Sequence, residues 1–469
     1  MPTHTAMSPA ESRSQFWLSA LVLIVAGLLG GSRGGFGDVV AQLLALVLLA
    51  QMAWLGNRGG LSWHGPSWAG WVPGLALALP IIQLLPIPEA LWSASPARSE
   101  LAGQLLQVGA THASVLSLNP AATERALWSL LPATSLYLST LTLSRTSKRR
   151  LLALVLGIAL VNLLLGMAQI ADGPDSALRF YTPTNPTEAV GAFANRNHFA
   201  DLLMMALPLA LVATAWTVSE RLAGRTLNML WTVAGIGAVV LVILGIAMAR
   251  SRAGLLLGMV AVLGSLPIVM SLRRQRGTKR VLAFAVGLGL MLSVQFALFG
   301  ILSRMEIDPL DDGRWQYAQT TRAAAAAHAP LGSGLGTFRQ AYQPFEARGR
   351  PERAIINHAH NDYLELWLEG GWLALALMAL AGIAWLWLSI RLWQPGAEPG
   401  TPEHSGQLLA RTAWLAASLA LLHSALDYPL RTTADMTVFA LLAAVAFSAA
   451  GRAPDAAPGR PAPGWRGDE

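Results

Sequence analysis

The sequence contains no cysteine, which excludes a disulfide framework, a thiol nucleophile and any cysteine-based metal site, and is neutral about compartment. Charge is also scarce. Asp, Glu, Lys and Arg together supply 13% of the 469 residues, about half the share of an ordinary soluble domain, and no soluble domain stands apart from the rest. Acidic side chains are outnumbered, 26 against 33 basic ones, for a net charge of +7. The excess is mostly Arg, scattered through short connectors rather than gathered into a stripe, which argues against nucleic acid as a partner. These residues read as topology signals and anion ligands.

What is present in abundance is apolar sequence, 54% of the chain. Crossing a hydrocarbon core of about 30 Å takes about 20 apolar residues per helix, and such runs recur throughout. The pattern predicts an all-α, polytopic integral membrane protein of about twelve spans, near 16–31, 37–55, 68–86, 126–143, 150–171, 198–216, 228–249, 253–271, 281–301, 365–390, 411–427 and 433–450. The first run is expected to be a retained anchor, since no small-residue cleavage site follows it. The organisation expected is nine spans over 1–301, an outward loop at 302–364, three spans over 365–450 and a disordered cytoplasmic tail at 451–469. Two basic clusters, Arg145 with Lys148, Arg149 and Arg150, and Arg273 with Arg274, Arg276, Lys279 and Arg280, place their connectors in the cytoplasm by the positive-inside rule, and both termini with them.

With that orientation the segments 87–125, 172–197 and 302–364 face outward. The last combines Arg, His, Trp and glycine-rich turns, the composition of a binding loop. Between Val233 and Met270 an unbroken helix would run about 57 Å, so the chain must turn near Arg250-Ser251-Arg252. Two Arg are thereby pinned at the outer face, either snorkelling to headgroups or holding a phosphate. Asp311-Asp312-Gly313-Arg314-Trp315 opens an Ala-rich helix on which Arg314 and Arg322 share a face, cationic or simply solvated. Pro330 to Phe338 carries three alternating glycines, a tight turn whose amides are able to cradle an anion.

The strongest local constellation is Asn357-His358-Ala359-His360-Asn361-Asp362-Tyr363-Leu364-Glu365. Asp362 and Glu365 have the form of a capping box, which would start a helix at Tyr363 and put His360 just before an electropositive helix end. That field favours bound anions and the neutral imidazole a base requires. A metal reading of His358, His360 and Asp362 stays open, although no further ligand cluster is visible. Arg196 and His198 at the start of one span, and His423, Asp427 and Arg431 near the end of another, either line the same cavity or cap the interface.

Gly332 to Phe338, then His360-Asn361, nine residues and Gly371, resembles the signature of the bacterial O-antigen ligase and polysaccharide polymerase superfamily. Ser251-Arg252, the stretch from Gly191 to His198, and Asp427-Tyr428-Pro429-Leu430-Arg431 are similar to further landmarks of that family, over roughly residues 190–450. One departure is Ala374, where the family often has Gly. The resemblance implies a multispanning enzyme of the bacterial inner membrane that transfers a glycan from undecaprenyl pyrophosphate to an acceptor on the periplasmic side. It implies that Arg252 and Arg314 hold the pyrophosphate and that His360 acts in the transfer; Arg322, on the same helix face as Arg314, is expected to bind the pyrophosphate with them. Arg250, Asn361, Arg196, His198, Asp427 and Arg431 are expected to support them.

An outward-facing site has no nucleotide sugars, so a donor must arrive activated on lipid, and outward Arg residues suit its leaving group. No metal or other cofactor is expected if Arg supplies the charge, and inversion at the anomeric carbon follows from direct displacement. The acceptor is lipid A–core in a ligase, another lipid-linked repeat in a polymerase, or a protein hydroxyl in an oligosaccharyltransferase, with ligase-like transfer favoured. A transporter of lipid-linked glycan and a catalytically silent scaffold are rival classes. Transporters place ionisable groups near the bilayer midplane, whereas these spans read as almost free of them.

Overall fold

The computed structural model describes residues 9–451 apart from 33, 94, 111–114, 183–185, 223–228, 273–274, 306–312, 347–354, 395–397 and 399–400. The expected Asp311-Asp312 pair, Arg273, Arg274 and the tail from 452 onward lie outside the described residues. Among those described there is no β-strand, only two isolated bridges, Gly31 with Phe193 and Pro86 with Val115.

The helices are α1 (Pro9–Leu29), α2 (Phe36–Asn57), α3 (Val72–Gln83), α4 (Glu89–Trp92), α5 (Pro96–Gln107) and α6 (Pro120–Ser129). Next come α7 (Leu131–Thr142), α8 (Arg145–Asp172), α9 (Arg196–Leu222), α10 (Met229–Met248), α11 (Arg252–Met270) and α12 (Gln275–Met305). The chain ends through α13 (Arg314–His328), α14 (Phe338–Tyr342), α15 (Asp362–Trp393), α16 (Pro402–His423) and α17 (Thr433–Ala450). Within the described residues seven of them, α2, α8, α9, α10, α11, α15 and α17, are long and apolar enough to cross a bilayer. The 31-residue α12 and the 22-residue α16 pack among them.

Two expected spans are each divided between two adjoining helical pieces. The run at 68–86 becomes a 3-10 turn, Ser67–Trp71, followed by the 12-residue α3. The run at 126–143 is divided between α6 and the 12-residue α7, which meet at Leu130 with Pro132 near the start of the second. Hydropathy alone does not register such a break.

The core is organised around α9. Of its most apolar stretch, 83% is buried within the protein, against 11% for the corresponding stretch of α15. Helices α8, α10, α11, α12, α16 and α17 surround it, and Leu202, Leu203, Met204, Met205 and Ala206 have no exposed surface. In contrast, α2 and α15 turn large apolar side chains outward, including Leu43, Trp54, Trp372 and Ile383, as a surface facing lipid should.

One end of the bundle is knitted together by backbone hydrogen bonds between segments remote in sequence. Ala194, just before α9, donates to Gly31 O at 3.2 Å, and Ala434, in the first turn of α17, donates to Gly30 O at 3.1 Å. Gln169 and Asn162 of α8 hold the segment before α9 by bonds to Gly191 O and from Ala192 N, at 2.7 and 2.8 Å. The turn expected near Arg250 falls between Met248 and Arg252.

Candidate active site

Asp427 is the centre of the polar groups at that end. It follows α16, has no exposed surface, and each of its oxygens is used. Its Oδ1 contacts His360 Nδ1 at 3.0 Å and accepts from Tyr428 N at 3.0 Å. Its Oδ2 accepts from Asn197 Nδ2 at 2.5 Å and from the Arg314 guanidinium at 3.3 Å. Burial alone would push its carboxyl up, but the hydrogen bond and charge of His360, followed by the Arg314 charge, hold it well below the usual carboxylate range. Asp427 is therefore an anion that fixes an imidazole through Nδ1 and leaves Nε2 for chemistry.

His360 is held in that position by its backbone. Its φ is +50°, and Arg250 at +49° is the one other non-glycine residue with positive φ among the described residues. Left-handed backbone costs a non-glycine residue of order 1 kcal/mol and persists where its surroundings dictate it. Here Asp362 N donates to Ser424 O at 2.8 Å and Asn361 Nδ2 to Ala425 O at 2.9 Å, anchoring the loop across the end of α16. The aromatic ring of Tyr428 lies edge-on to His360 at 5.0 Å and to His198 at 4.7 Å, and stacks on His358 at 4.1 Å. Tyr317, one turn along α13 from Arg314, lies 5.8 Å from the His360 ring on another side.

The expected capping box does not form. Asn361 caps α15, its Oδ1 accepting from Tyr363 N at 3.1 Å and Leu364 N at 3.0 Å. Asp362 and Glu365 turn inward to Arg431 instead. Arg431 donates to Asp362 Oδ1 at 3.3 Å and to Glu369 Oε2 at 2.7 Å, and lies 3.4 Å from Glu365 Oε1. Burial would lower its pKa, but these carboxylates, Glu365 foremost, raise it further and keep it charged. Arg431 is a buried tie between loops. The same turn takes Asp362 away from His358 and His360, so the three do not form a ligand set, and no cluster of three metal-binding side chains occurs among the described residues.

The glycine turn is likewise used internally. Ser333 N donates to Leu368 O, Gly334 N to Glu369 O, Leu335 N to Gln83 Oε1, and Gly336 N and Phe338 N to Glu369 Oε1. Those amides serve the break in α15 at Gly371, where φ is 59° and ψ −148°, and the anion they hold is the protein's own Glu369 carboxylate. Arg98, unremarked in the sequence, supports the turn from α5. It is fully buried, donates to Gly332 O at 2.7 Å and to Leu116 O, and burial pulls its pKa down to about 10.

Of the other expected residues, Arg252 is exposed at the first position of α11, whose cap is Ser251 Oγ bonding Gly254 N at 3.1 Å. A Cβ built on Gly254 would lie 3.0 Å from Ala200 Cβ, so Arg250 and Arg252 stand beside the first turns of α9, at the same end as Asn197. Arg196 is committed to Glu188 at 2.8 Å. Arg322 is exposed two turns along α13 and makes no ion pair among the described residues. Glu369 was not singled out from sequence, Glu365 was read only as part of a helix cap, and Asn197 and Tyr428 stood only within longer stretches. The signal was present for the carboxylates, since 362, 365 and 369 share one face of an otherwise apolar helix.

Beneath the site lies a second buried pair, His423 Nδ1 to Asp201 Oδ1 at 2.9 Å, with neither side chain exposed. With Asp435 also fully buried in α17, the turns of the spans at this end are less free of ionisable groups than their hydropathy suggests.

No curated protein matches the chain in a sequence comparison. Residues 237–379 match the profile of a family described as O-antigen ligase, a stretch that contains Arg252, Arg314, the glycine turn and His360 but ends before Asp427 and Arg431. That domain match supports the O-antigen ligase and polysaccharide polymerase superfamily.

Proposed function

We propose that the protein transfers a glycan from undecaprenyl pyrophosphate to an acceptor hydroxyl at the periplasmic face of the bacterial inner membrane. The observation that carries this reading is the meeting of His360 and Arg314 on the buried Asp427. An imidazole oriented through Nδ1 by a carboxylate is the arrangement of a general base, and the Arg314 guanidinium lies beside it with 36% of its side chain exposed. His360 Nε2 takes the acceptor proton as the acceptor oxygen bonds to the anomeric carbon. The bond from that carbon to the pyrophosphate oxygen breaks on the opposite side, with inversion. Arg314, Arg252 and Arg322 receive the negative charge that builds on the departing lipid pyrophosphate.

The acceptor we favour is lipid A–core, as in a ligase; polymerase and protein-glycosylating activities share the same donor chemistry. Both termini are cytoplasmic in this reading, with 302–364 outside. Purified protein in liposomes, given a polyprenyl-pyrophosphate glycan and either core lipid, a second lipid-linked glycan or an acceptor protein, separates the three by product. Transfer without an ion gradient supports an enzyme over a transporter. Absence of transfer to every acceptor, with donor left intact, overturns the proposal.

A further inference from the structure

A second histidine beside His360 is built in the same way. His358 Nδ1 contacts Glu365 Oε1 at 2.9 Å, and the other oxygen of Glu365 accepts from Ala359 N at 2.9 Å. The imidazole is sandwiched between Tyr428, at 4.1 Å, and Phe338, at 6.4 Å and nearly parallel. Its side chain is 19% exposed against 26% for His360. Neither ring has a further hydrogen bond among the described residues, and neither Nε2 is among the buried unpartnered atoms, in contrast to Nε2 of His198 and His423. Two imidazoles thus stand two residues apart, each gripped through Nδ1 by a carboxylate and each presenting Nε2 at the surface of one site.

A packing residue would not need the carboxylate. Phe338 and Tyr428 already supply the stack, whereas Glu365, itself tied to Arg431, adds an oriented contact to Nδ1. Two oriented imidazoles also match the proton balance of the transfer proposed above, on which this inference rests. The acceptor hydroxyl loses a proton and the lipid pyrophosphate leaves with one more P–O terminus to be protonated. Both rings contact Tyr428, which bounds their separation at about 9 Å.

We propose that His358 is a second catalytic residue, which donates a proton from Nε2 to the pyrophosphate oxygen as the glycosyl bond breaks while His360 accepts the proton of the attacking hydroxyl. Atoms and charge balance within the pair, since the proton gained by His360 replaces the one lost by His358, and exchange through water restores both. The charged and titratable groups around His358 are Glu365 of α15, Tyr428 and Arg431 of the segment after α16, His198 of α9, and the His360–Asp427 pair. Glu365 is its direct partner.

The test is the pH profile of transfer by the full-length protein in liposomes, with a polyprenyl-pyrophosphate glycan as donor and the acceptor that wild type uses. Wild type should give a bell. His358→Asn should lower transfer about 10²-fold at neutral pH and remove the alkaline limb, with the donor KM little changed. Glu365→Gln keeps the hydrogen-bonding shape but not the charge, and should shift the alkaline limb to lower pH. An alkaline limb unchanged in both variants, or a loss confined to KM or tracking thermal stability, overturns the assignment and leaves the base role of His360 standing. No transfer by wild type removes both readings together.

Discussion

Gly332 and Gly371 stand backbone to backbone: a Cβ built on Gly332 would lie 2.5 Å from the Gly371 nitrogen, and one built on Gly371 would run into Pro330 O and Leu331 C. This contact seats the glycine turn in the break of α15, and both residues have positive φ, 77° and 59°. Gly371→Ala should therefore cost about 1–3 kcal/mol of backbone strain before the steric clash is counted. A clearly lower melting temperature of the detergent-solubilised protein is expected, and an unchanged one would contradict the close approach.

Arg431 ties Asp362, Glu365 and Glu369 together, and Glu369 in turn holds the amides of Gly336 and Phe338. Removing one member of a buried ionic cluster leaves uncompensated charge and costs about 3–5 kcal/mol. Arg431→Ala is expected to lose both folded yield and activity, measured by size-exclusion recovery and transfer assay. Arg431→Lys should recover little, because one ammonium cannot reproduce the forked contacts.

Asp427→Asn keeps the shape of the site but removes the anion that orients His360. By analogy with the loss of the orienting carboxylate in catalytic triads, kcat should fall by about 10³ to 10⁴, with a smaller change in donor KM. Equal losses in both constants would mean that Asp427 serves binding instead.

Acid stability should depend on the same carboxyl. Its pKa in the folded protein is depressed below the ordinary value of 3.8, so its stabilising contribution is fully present above about pH 4 and is lost as pH falls further towards the folded value. Thermal melts from pH 7 down to pH 3 should show the wild type losing stability at the acid end, and Asp427→Asn losing less of it. A wild-type loss from Asp427 already complete by pH 5 would contradict the direction of the shift.

Much of this arrangement was legible from sequence because it is local. The runs that became α8 to α11, the break at Arg250-Ser251-Arg252, and His360 ahead of α15 all follow from hydropathy, length and helix-end rules. What was illegible is what depends on contacts across the chain. Asp362 and Glu365 had the local form of a cap, and only the approach of Arg431 shows why they turn inward. Alternating glycines suggested a phosphate cradle, and only the nearness of Glu369 and Gly371 shows where the amides go. Ala374, where the family often has Gly, is fully buried against Leu79 and Leu335, a packing role that no motif expresses.

The enclosure of α9 carries a consequence for how the molecule is made. Asp201 bonds His423, 222 residues later, and Asn197 bonds Asp427, 230 residues later. While the ribosome is still working on the middle of the chain, α9 has entered the membrane with polar groups whose partners have not yet been synthesised. It must wait, guarded by lipid defects, earlier helices or an insertase, until the last two spans arrive. Chains stopped after residue 400 should therefore be degraded quickly, and Asp201→Leu should slow the turnover of the stopped chain even though it harms the finished one.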